Sequence, residues 1–306
     1  MGGVCAKPSA SPAPAPRAAA HAPNSFVAIA DKYTTLEQVQ AGLRKAGLES
    51  SNLIIGVDFT KSNQWTGKDT FGGQCLHSLT AGGMNPYQRV IDVMARTLEP
   101  FDDDKLIPAY GFGDVTTTDK SVFPFFQDER PCNGVAEVLA RYSELVPHVQ
   151  MSGPTSFAPL INKAIEIVQQ TRQYHILVII ADGQVTNVDT TAQAVIRATN
   201  YPLSIIMVGV GDGPWDTMEE FDDHLEARRV CLFSFSPCTH PMLLLLVMHS
   251  SPLLLLLLPQ FDNFQFVNFN AVMTKPRVEN YDVEFAVAAL QEIPDQWSAI
   301  QRLRLV

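Results

Sequence analysis

The sequence predicts an α/β fold, with a doubly wound, mostly parallel sheet that carries helices on both faces. The first observation behind this is a set of short runs that are almost wholly apolar, at 53–57, 175–181 and 203–208. Such runs are typical of strands buried on both sides of a parallel sheet. The second observation is that segments with helical periodicity separate the runs, which is the alternation expected of a covered parallel sheet.

The first half of the chain begins this alternation after a polar start. Residues 34–35 are both Thr and can cap a helix whose apolar residues recur on one side over 36–48. The run 53–57 is the first predicted strand. A second helix is predicted after Asn85–Pro86, because Asn caps helices well and Pro suits the first helical position. A strand is predicted at 106–112.

The second half continues the pattern, with apolar residues at helical spacing between strand-like runs. The predicted elements, in chain order, are helices near 135–146 and 158–169, a strand at 175–181, a helix near 191–199, strands at 203–208 and 261–269, and a closing helix at 281–290.

Length and charge limit the classes of function. The chain has 306 residues, of which 46% are hydrophobic, and this is ample for one sizeable core. With 22 basic and 32 acidic residues, the formal net charge is -10. Such a chain repels phosphate backbones unless it has a local basic patch. The adjacent basic pairs, Arg44–Lys45 and Arg228–Arg229, do not form such a patch, so we expect no nucleic-acid partner.

Two segments fall outside the globular pattern. Residues 1–33 form an Ala-, Pro- and Ser-rich tail with too few apolar residues to fold, so we expect it to be disordered. The domain is predicted to span 34–306, interrupted by a Leu-rich insertion at 230–260. Its apolar runs, Leu243–Val247 and Leu253–Leu258, are too short to cross a bilayer, which needs about 20 residues. We interpret 230–260 as a segment foreign to the domain.

The tail contains a candidate lipidation signal. It lacks the apolar core of a secretory signal, and the absence of acidic residues before Asp31 leaves an organelle transit peptide open as an alternative. Gly2 behind the initiator Met is a candidate for myristoylation, with Cys5 as a second acylation site, although Ala6 stands where Ser or Thr is preferred. Any membrane attachment is therefore expected through this tail.

The cysteines predict a reduced, intracellular protein. There are five cysteines, an odd number, and none of them forms a C-x-x-C pair. Cys231, Cys238, His240 and His249 have spacings that fit no common zinc site, so we expect no zinc.

Oxygen-bearing side chains follow two of the predicted strands and occupy one loop between them. Asp58, Thr60 and Ser62 follow the strand 53–57, Thr155 lies in the loop, and Asp182 follows the strand 175–181. The carboxyl ends of strands meet at one edge of a doubly wound sheet, where ligands bind. Taken singly, these residues are equally typical of turns and caps. Together they predict a site for one divalent cation.

The chemistry of these residues favours Mg²⁺ or Mn²⁺ over Ca²⁺. A small, hard cation takes oxygen ligands in an octahedron and keeps water beside one or two carboxylates. An exchangeable position on such an ion can accept a carboxylate from a protein partner. No nucleophile–base pair and no complete dinucleotide fingerprint occurs in the sequence, so we expect neither catalytic residues nor an organic cofactor.

The residues around the predicted cation site resemble the metal-ion-dependent adhesion site of von Willebrand A (integrin I-like) domains. The closer resemblance is to the copine-type subgroup, whose hallmarks are similar to 52–63, 153–155, 201–206 and 208–213 of this chain. The segments 36–38, 65–68 and 261–269 are similar to the plant RING domain ligases, E3 ubiquitin ligases that join a copine-like domain to a RING finger.

The resemblance implies a metal-dependent protein-interaction domain that contributes to protein ubiquitination by binding a partner or a substrate. The partner would present an acidic group to the cation. No Cys or His follows Phe261, so we expect no RING finger and no independent ligase activity in this chain. A non-catalytic, copine-like adaptor is the alternative. The family also implies the cytoplasm and the nucleus, or the periphery of the plasma membrane if the tail is acylated.

Overall fold

Apolar runs in the chain assemble into a central sheet whose strands come from distant parts of the sequence. The structure, a computed structural model, describes residue 29 and residues 33–80, 83–183, 185–222 and 259–306. The predicted tail at 1–33, apart from residues 29 and 33, lies outside the described residues, and so do Gly2, Cys5 and nearly all of the predicted insertion at 230–260.

The strands form one large sheet and one small one. The large sheet has six strands in the order β4-β3-β1-β6-β7-β8, and β2 and β5 form a separate antiparallel pair. All neighbours in the large sheet are parallel except β3 and β4. The strands are β1 Asn52–Asp58, β2 Leu106–Ile107, β3 Ala109–Phe112, β4 Phe123–Pro124, β5 Cys132–Asn133, β6 His175–Ala181, β7 Leu203–Gly209 and β8 Phe264–Asn268.

Helices connect these strands. They are α1 Leu36–Lys45, α2 Pro86–Leu98, α3 Gly134–Leu145, α4 Ala158–Thr171, α5 Val188–Ala198, α6 Phe269–Met273, α7 Tyr281–Leu290 and α8 Ile293–Leu303. Residues 216–222 are also helical, and short 3₁₀ turns occur at Lys61–Gln64 and Glu99–Phe101. Thr35 and Asn85 cap α1 and α2 as the sequence predicts. Within the described ranges, no helix is long and apolar enough to cross a membrane.

Both faces of the large sheet are covered, which confirms the predicted fold class. Alternate residues of a strand point to opposite faces. In β1, Leu53, Ile55 and Val57 pack in an apolar cluster with side chains of α1, α2, α3, α7 and α8. Ile54 packs in the cluster on the other face, with side chains of α4, α5 and 216–222.

The crossover of the chain at β1 creates the edge where the candidate site lies. β1 is flanked by β3 on one side and β6 on the other. The strands that follow β1 are therefore added first on one side of it and later on the other. Val57 of β1 is in register with Ile180 of β6. Asp58 and Asp182 therefore emerge at the same edge of neighbouring strands.

Two sequence predictions about the fold were wrong. The single strand predicted at 106–112 is two strands in different sheets, because Pro108 has no N–H and interrupts the run: β2 pairs with β5 and β3 pairs with β1. The helix at 281–290 is not the last element, since α8 follows it. Trp297 and Ile300 of α8 are buried on the face of the large sheet that α1, α2, α3 and α7 also cover.

Candidate metal centre

The last residue of β1 is an aspartate that is fully buried. Asp58 is 0% exposed, and its Oδ1 accepts a hydrogen bond from the backbone N–H of Thr60 at 2.7 Å. Its Oδ2 is buried and has no hydrogen-bond partner among the described residues. An ionised carboxylate oxygen without a partner is costly in a protein interior. A proton shared with Asp182 or a bound cation would remove this cost.

A chain of hydroxyl groups joins the ends of β1 and β6. Ser62 Oγ donates to Asp182 Oδ1 at 3.0 Å, and Thr60 Oγ1 lies 2.9 Å from Ser62 Oγ. Ser62 has one hydroxyl proton, so when it donates to Asp182 the Thr60 hydroxyl is the donor of the other bond. The structure thus brings four of the five predicted residues together through side-chain hydrogen bonds.

The fifth predicted residue, Thr155, is brought to the same edge by backbone hydrogen bonds. Its carbonyl accepts from the N–H of Thr186 at 2.9 Å, four residues beyond Asp182. Earlier in the same loop, the carbonyl of Ser152 accepts from the N–H of Lys61 at 2.7 Å. The loop is therefore tied to both aspartate-bearing segments, and Thr155 is buried, at 8% exposure.

Thr66 is part of the site, although the sequence did not indicate it. Its hydroxyl donates to Asp182 Oδ2 at 2.6 Å, so both oxygens of this carboxylate accept hydrogen bonds from hydroxyl groups. Thr66 reaches this position because its N–H bonds the carbonyl of Ser62 at 3.0 Å in a helical turn. In the sequence, Thr66 follows Ser62 by four residues, a spacing that places two side chains on the same side of a helical turn. The sequence did not show that the loop forms such a turn.

The two carboxylates oppose each other in the protein alone. Burial raises the pKa of Asp58, and the neighbouring charge of Asp182 raises it further. Burial also raises the pKa of Asp182, while hydrogen bonds from Thr66 and Ser62 act in the opposite direction. A divalent cation between these groups would favour the charged form of both.

Two glycines let the backbone approach the site closely. A Cβ at Gly113 would lie 2.4 Å from Thr60 Cγ2, and Gly113 has a φ of +81° that favours glycine. A Cβ at Gly211 would lie 2.6 Å from the carbonyl oxygen of Asp182. The loops after β3 and β7 therefore close the site on both sides.

A buried histidine, which the sequence did not indicate as part of the site, forms a hydrogen bond with the backbone of Asp58. His77 Nε2 lies 2.8 Å from the Asp58 carbonyl oxygen, which can only accept, so Nε2 carries the proton. Nδ1 then accepts from the Tyr142 hydroxyl at 2.7 Å. The ring stacks between Phe59 and Tyr87, at centroid distances of 4.7 and 4.1 Å. Burial lowers the pKa of His77 to about 3, so the ring is neutral at physiological pH.

Asp212 fixes the outer part of the loop that follows β1. Its carboxylate accepts from the N–H groups of Asp69 at 3.1 Å and Thr70 at 3.0 Å. Its own N–H donates to the carbonyl of Thr66 at 2.7 Å. The glycine-rich segment 210–213 thus leaves β7 and packs against the loop that follows β1.

The donor set suits a hard cation. It offers two carboxylates and several hydroxyls, and oxygen ligands of this kind match Mg²⁺ and Mn²⁺. Within the part of the chain that the structure describes, no group of three or more His, Cys, Asp and Glu side chains could hold a metal ion. Hydroxyls and water would therefore have to complete the shell around Asp58 and Asp182.

Comparisons with known proteins give a consistent family. The family model described as Copine matches residues 75–233. E3 ubiquitin-protein ligase RGLG2 of Arabidopsis thaliana is 48% identical over 91% of this chain and 56% of its own length. E3 ubiquitin-protein ligase RGLG3 of the same plant is 46% identical over 89% of this chain and 69% of its own length. The chain thus spans between about half and about two thirds of these relatives.

Among solved structures, the manganese-loaded TRAP protein of Plasmodium vivax covers 74% of this chain, and this chain covers 73% of it, at 12% identity and a TM-score of 0.41. That likeness is too low to support an argument about function. The sequence relatives and the Copine model are decisive, because the model matches just over half of the 306 residues. The chain belongs to the copine family, in the branch that resembles the plant RING domain ligases.

Proposed function

We propose that this chain is a metal-dependent protein-interaction domain. One Mg²⁺ or Mn²⁺ ion is held by Asp58, Thr60, Ser62, Thr155 and Asp182, and it binds an acidic group on a protein partner. The observation that carries this proposal is the buried Oδ2 of Asp58, which has no hydrogen-bond partner among the described residues and lies beside a second buried carboxylate.

An exchangeable position on the cation suits an acidic partner. Two carboxylates balance a divalent ion, and the hydroxyl ligands add no charge. Ions of this type keep water in part of their coordination shell. A carboxylate from a partner can replace such a water and bring its own negative charge close to the ion. The cation then acts in recognition, where its exchangeable position matters.

The relatives suggest where this binding is used. Two of them are named as E3 ubiquitin ligases, so we propose that the partner is a substrate or a regulator in protein ubiquitination, inside the cell. The alternative is a non-catalytic adaptor, which is supported by the match to the Copine model itself. Binding through the cation site is common to both.

The described cysteines do not support transfer of ubiquitin through a thiol. Burial raises the pKa of the Cys75 thiol and raises the pKa of Cys132 to about 12. Both thiols are therefore protonated at neutral pH and are poor nucleophiles. We expect the purified chain, mixed with ubiquitin, activating enzyme and conjugating enzyme, to form no ubiquitin conjugates. Conjugates that depend on this chain would contradict the proposal that it acts only by binding a partner.

Calorimetric titration tests the cation site. Mn²⁺ should bind to the wild-type chain at one site, and Asp58→Asn or Asp182→Asn should abolish the binding heat. Asp102→Asn is the matched control, because Asp102 is also buried, at 7% exposure, and burial raises its pKa to about 6. It lies beside the start of β1, where Phe101 bonds Ser51. Equal Mn²⁺ binding by all four proteins would refute the proposal.

A further inference from the structure

Exposed apolar side chains concentrate in the two loops that carry or contact the candidate metal centre. Within the described ranges, six large hydrophobic residues are strongly exposed, and four of them lie in the loops that follow β1 and β3. We call these four the apolar rim: Trp65 is 58% exposed, Met84 49%, Val115 48% and Leu79 42%. The other two, Leu106 and Val306, lie elsewhere in the chain.

Trp65 is the most exposed of the four and is directly attached to the site. Its backbone N–H donates to the carbonyl of Ser62 at 2.9 Å, and the next residue, Thr66, donates to Asp182. Trp65 therefore lies between two residues whose hydroxyls bind the same carboxylate. Its backbone is held next to the candidate metal centre, and its ring is exposed.

The remaining rim residues are anchored in similar ways. Leu79 is two residues beyond His77, which bonds the carbonyl of Asp58, and Met84 precedes the Asn85 cap of α2. Val115 is two residues beyond Gly113, whose backbone packs against Thr60. Its N–H donates to the carbonyl of Gln150 at 3.0 Å.

The exposure of Trp65 does not come from a loosely held loop. The carboxylate of Asp212 binds two backbone N–H groups of this loop, and its N–H binds the Thr66 carbonyl. Leu76 adds a bond from its N–H to the carbonyl of Asn63 at 3.0 Å. An exposed apolar side chain on a backbone that is already held in place costs little backbone entropy on binding, which suits an interface anchor.

The charges near Trp65 suit an acidic partner. Lys61 and Lys68 lie in the same loop and are both exposed. The whole chain carries a formal net charge of -10, which repels acidic partners at long range. These two lysines, partly offset by the exposed Asp69 of the same loop, oppose that repulsion next to the cation site.

We propose that the apolar rim determines partner specificity, and that the partner is a protein segment with an acidic residue flanked by large apolar side chains. This inference rests on the proposed function, because the acidic residue is the one that binds the cation. The flanking side chains would contact Trp65, Leu79, Met84 and Val115. Trp is among the residues that contribute most to interface energies.

A peptide fits this surface better than a lipid bilayer does. The rim residues lie in loops beside a site whose aspartates are 0% and 1% exposed, so a ligand must project a group inward to reach a cation held there. Polar residues separate the rim residues, as exposed Gln64 does beside Trp65. Separate apolar side chains on either side of a projecting carboxylate match this arrangement, whereas a bilayer presents a continuous apolar layer.

A peptide library with a fixed central Asp and three random positions on each side tests the inference. Panned against the wild-type chain with Mn²⁺, it should yield binders enriched in Trp, Phe, Leu or Met beside the Asp. Trp65→Ala should weaken the selected peptides about 30-fold, as expected for an interface anchor, and should leave Mn²⁺ binding unchanged.

Leu79→Ser and Leu106→Ser form a matched pair, since both leucines are 42% exposed and only Leu79 belongs to the rim. Leu79→Ser should weaken the peptides and Leu106→Ser should not. Peptides that need Asp and Mn²⁺ but show polar flanks, or equal effects of the two Leu variants, would overturn this inference alone. A library without any Asp-dependent, Mn²⁺-dependent binder would overturn the proposed function with it.

Two further measurements exclude other occupants. Vesicles of phosphatidylcholine with phosphatidylserine should not retain the chain, and retention that Trp65→Ala removes would overturn the peptide assignment in favour of a membrane surface. Sedimentation of the chain with Mn²⁺ should show a monomer. A dimer that Trp65→Ala dissociates would show that the rim binds a second copy instead.

Discussion

Replacing Asp58 by asparagine should have opposite effects on the metal-free and the metal-loaded protein. Asp58 Oδ2 is buried, has no hydrogen-bond partner among the described residues, and lies near the charge of Asp182. Asparagine has the same shape, removes one of two opposing charges and places an amide donor at that position. Its Oδ1 can still accept from the Thr60 N–H. The metal-free variant should therefore be more stable than the wild type.

The expected magnitude follows from the buried oxygen. An unsatisfied buried polar group costs about 1–3 kcal/mol. For a domain of this size, each kcal/mol shifts the melting temperature by about 2–4 °C. In EDTA, Asp58→Asn should thus melt several degrees higher than the wild type. With Mn²⁺ at about 100 times its Kd, the wild type should gain about 2.7 kcal/mol, or roughly 5–11 °C. The variant should gain nothing.

Differential scanning calorimetry in EDTA and in Mn²⁺ measures both effects. Asp102→Asn is the control, because it removes a buried carboxyl group away from the site and should keep the full response to Mn²⁺. The reasoning is refuted if Asp58→Asn melts below the wild type in EDTA and still rises with Mn²⁺. Such a result would mean that Asp58 has a structural role that does not depend on a cation.

Three further predictions follow from the site. The metal-free fold raises the pKa values of Asp58 and Asp182 above the ordinary 3.8, so stability from this pair is present below that pH and is lost as the pH rises through the raised values. The protein should accordingly release protons when it binds Mn²⁺ at about pH 5, and it should bind Mn²⁺ more weakly there than at about pH 7.5. Calorimetry in buffers of different ionisation heat measures the released protons, and a result of none would contradict this prediction. His77→Phe keeps the ring stack but removes one hydrogen bond from the Asp58 carbonyl and one from the Tyr142 hydroxyl, which keep their bonds to Asn63 and Asn85. Urea denaturation should show a loss of roughly 1–3 kcal/mol together with weaker Mn²⁺ binding, and unchanged Mn²⁺ affinity would show that His77 does not position Asp58. Thr66→Val should lower the melting temperature and preserve Mn²⁺ binding, and loss of binding would instead make Thr66 a ligand.

The sheet and the aspartate positions could be predicted because their signals are local. The apolar runs of β1, β6 and β7 are visible in the sequence, and Asp58 and Asp182 come directly at or after the ends of β1 and β6. Parallel neighbours place those ends together. Thr60 and Ser62 follow from their short distance to Asp58 along the chain.

The missed features depend on contacts between distant residues. His77 reaches the Asp58 carbonyl because the loop after β1 folds back over 19 residues, and nothing near His77 in the sequence indicates this. The separation of β2 from β3 depends on which strand each one pairs with, although Pro108 was a visible warning. The helix α8 was readable, since Ile293, Trp297 and Ile300 recur at helical spacing and are buried.

The central claim is that one cation lies among the five oxygen-bearing residues at the end of β1 and β6. A crystal structure of the chain grown with Mn²⁺, with anomalous data collected near the manganese edge, tests it most directly. We expect a single strong anomalous peak enclosed by Asp58, Thr60, Ser62, Thr155 and Asp182, with oxygen ligands only. No peak in this site, or a strong peak elsewhere in the protein, would contradict the claim.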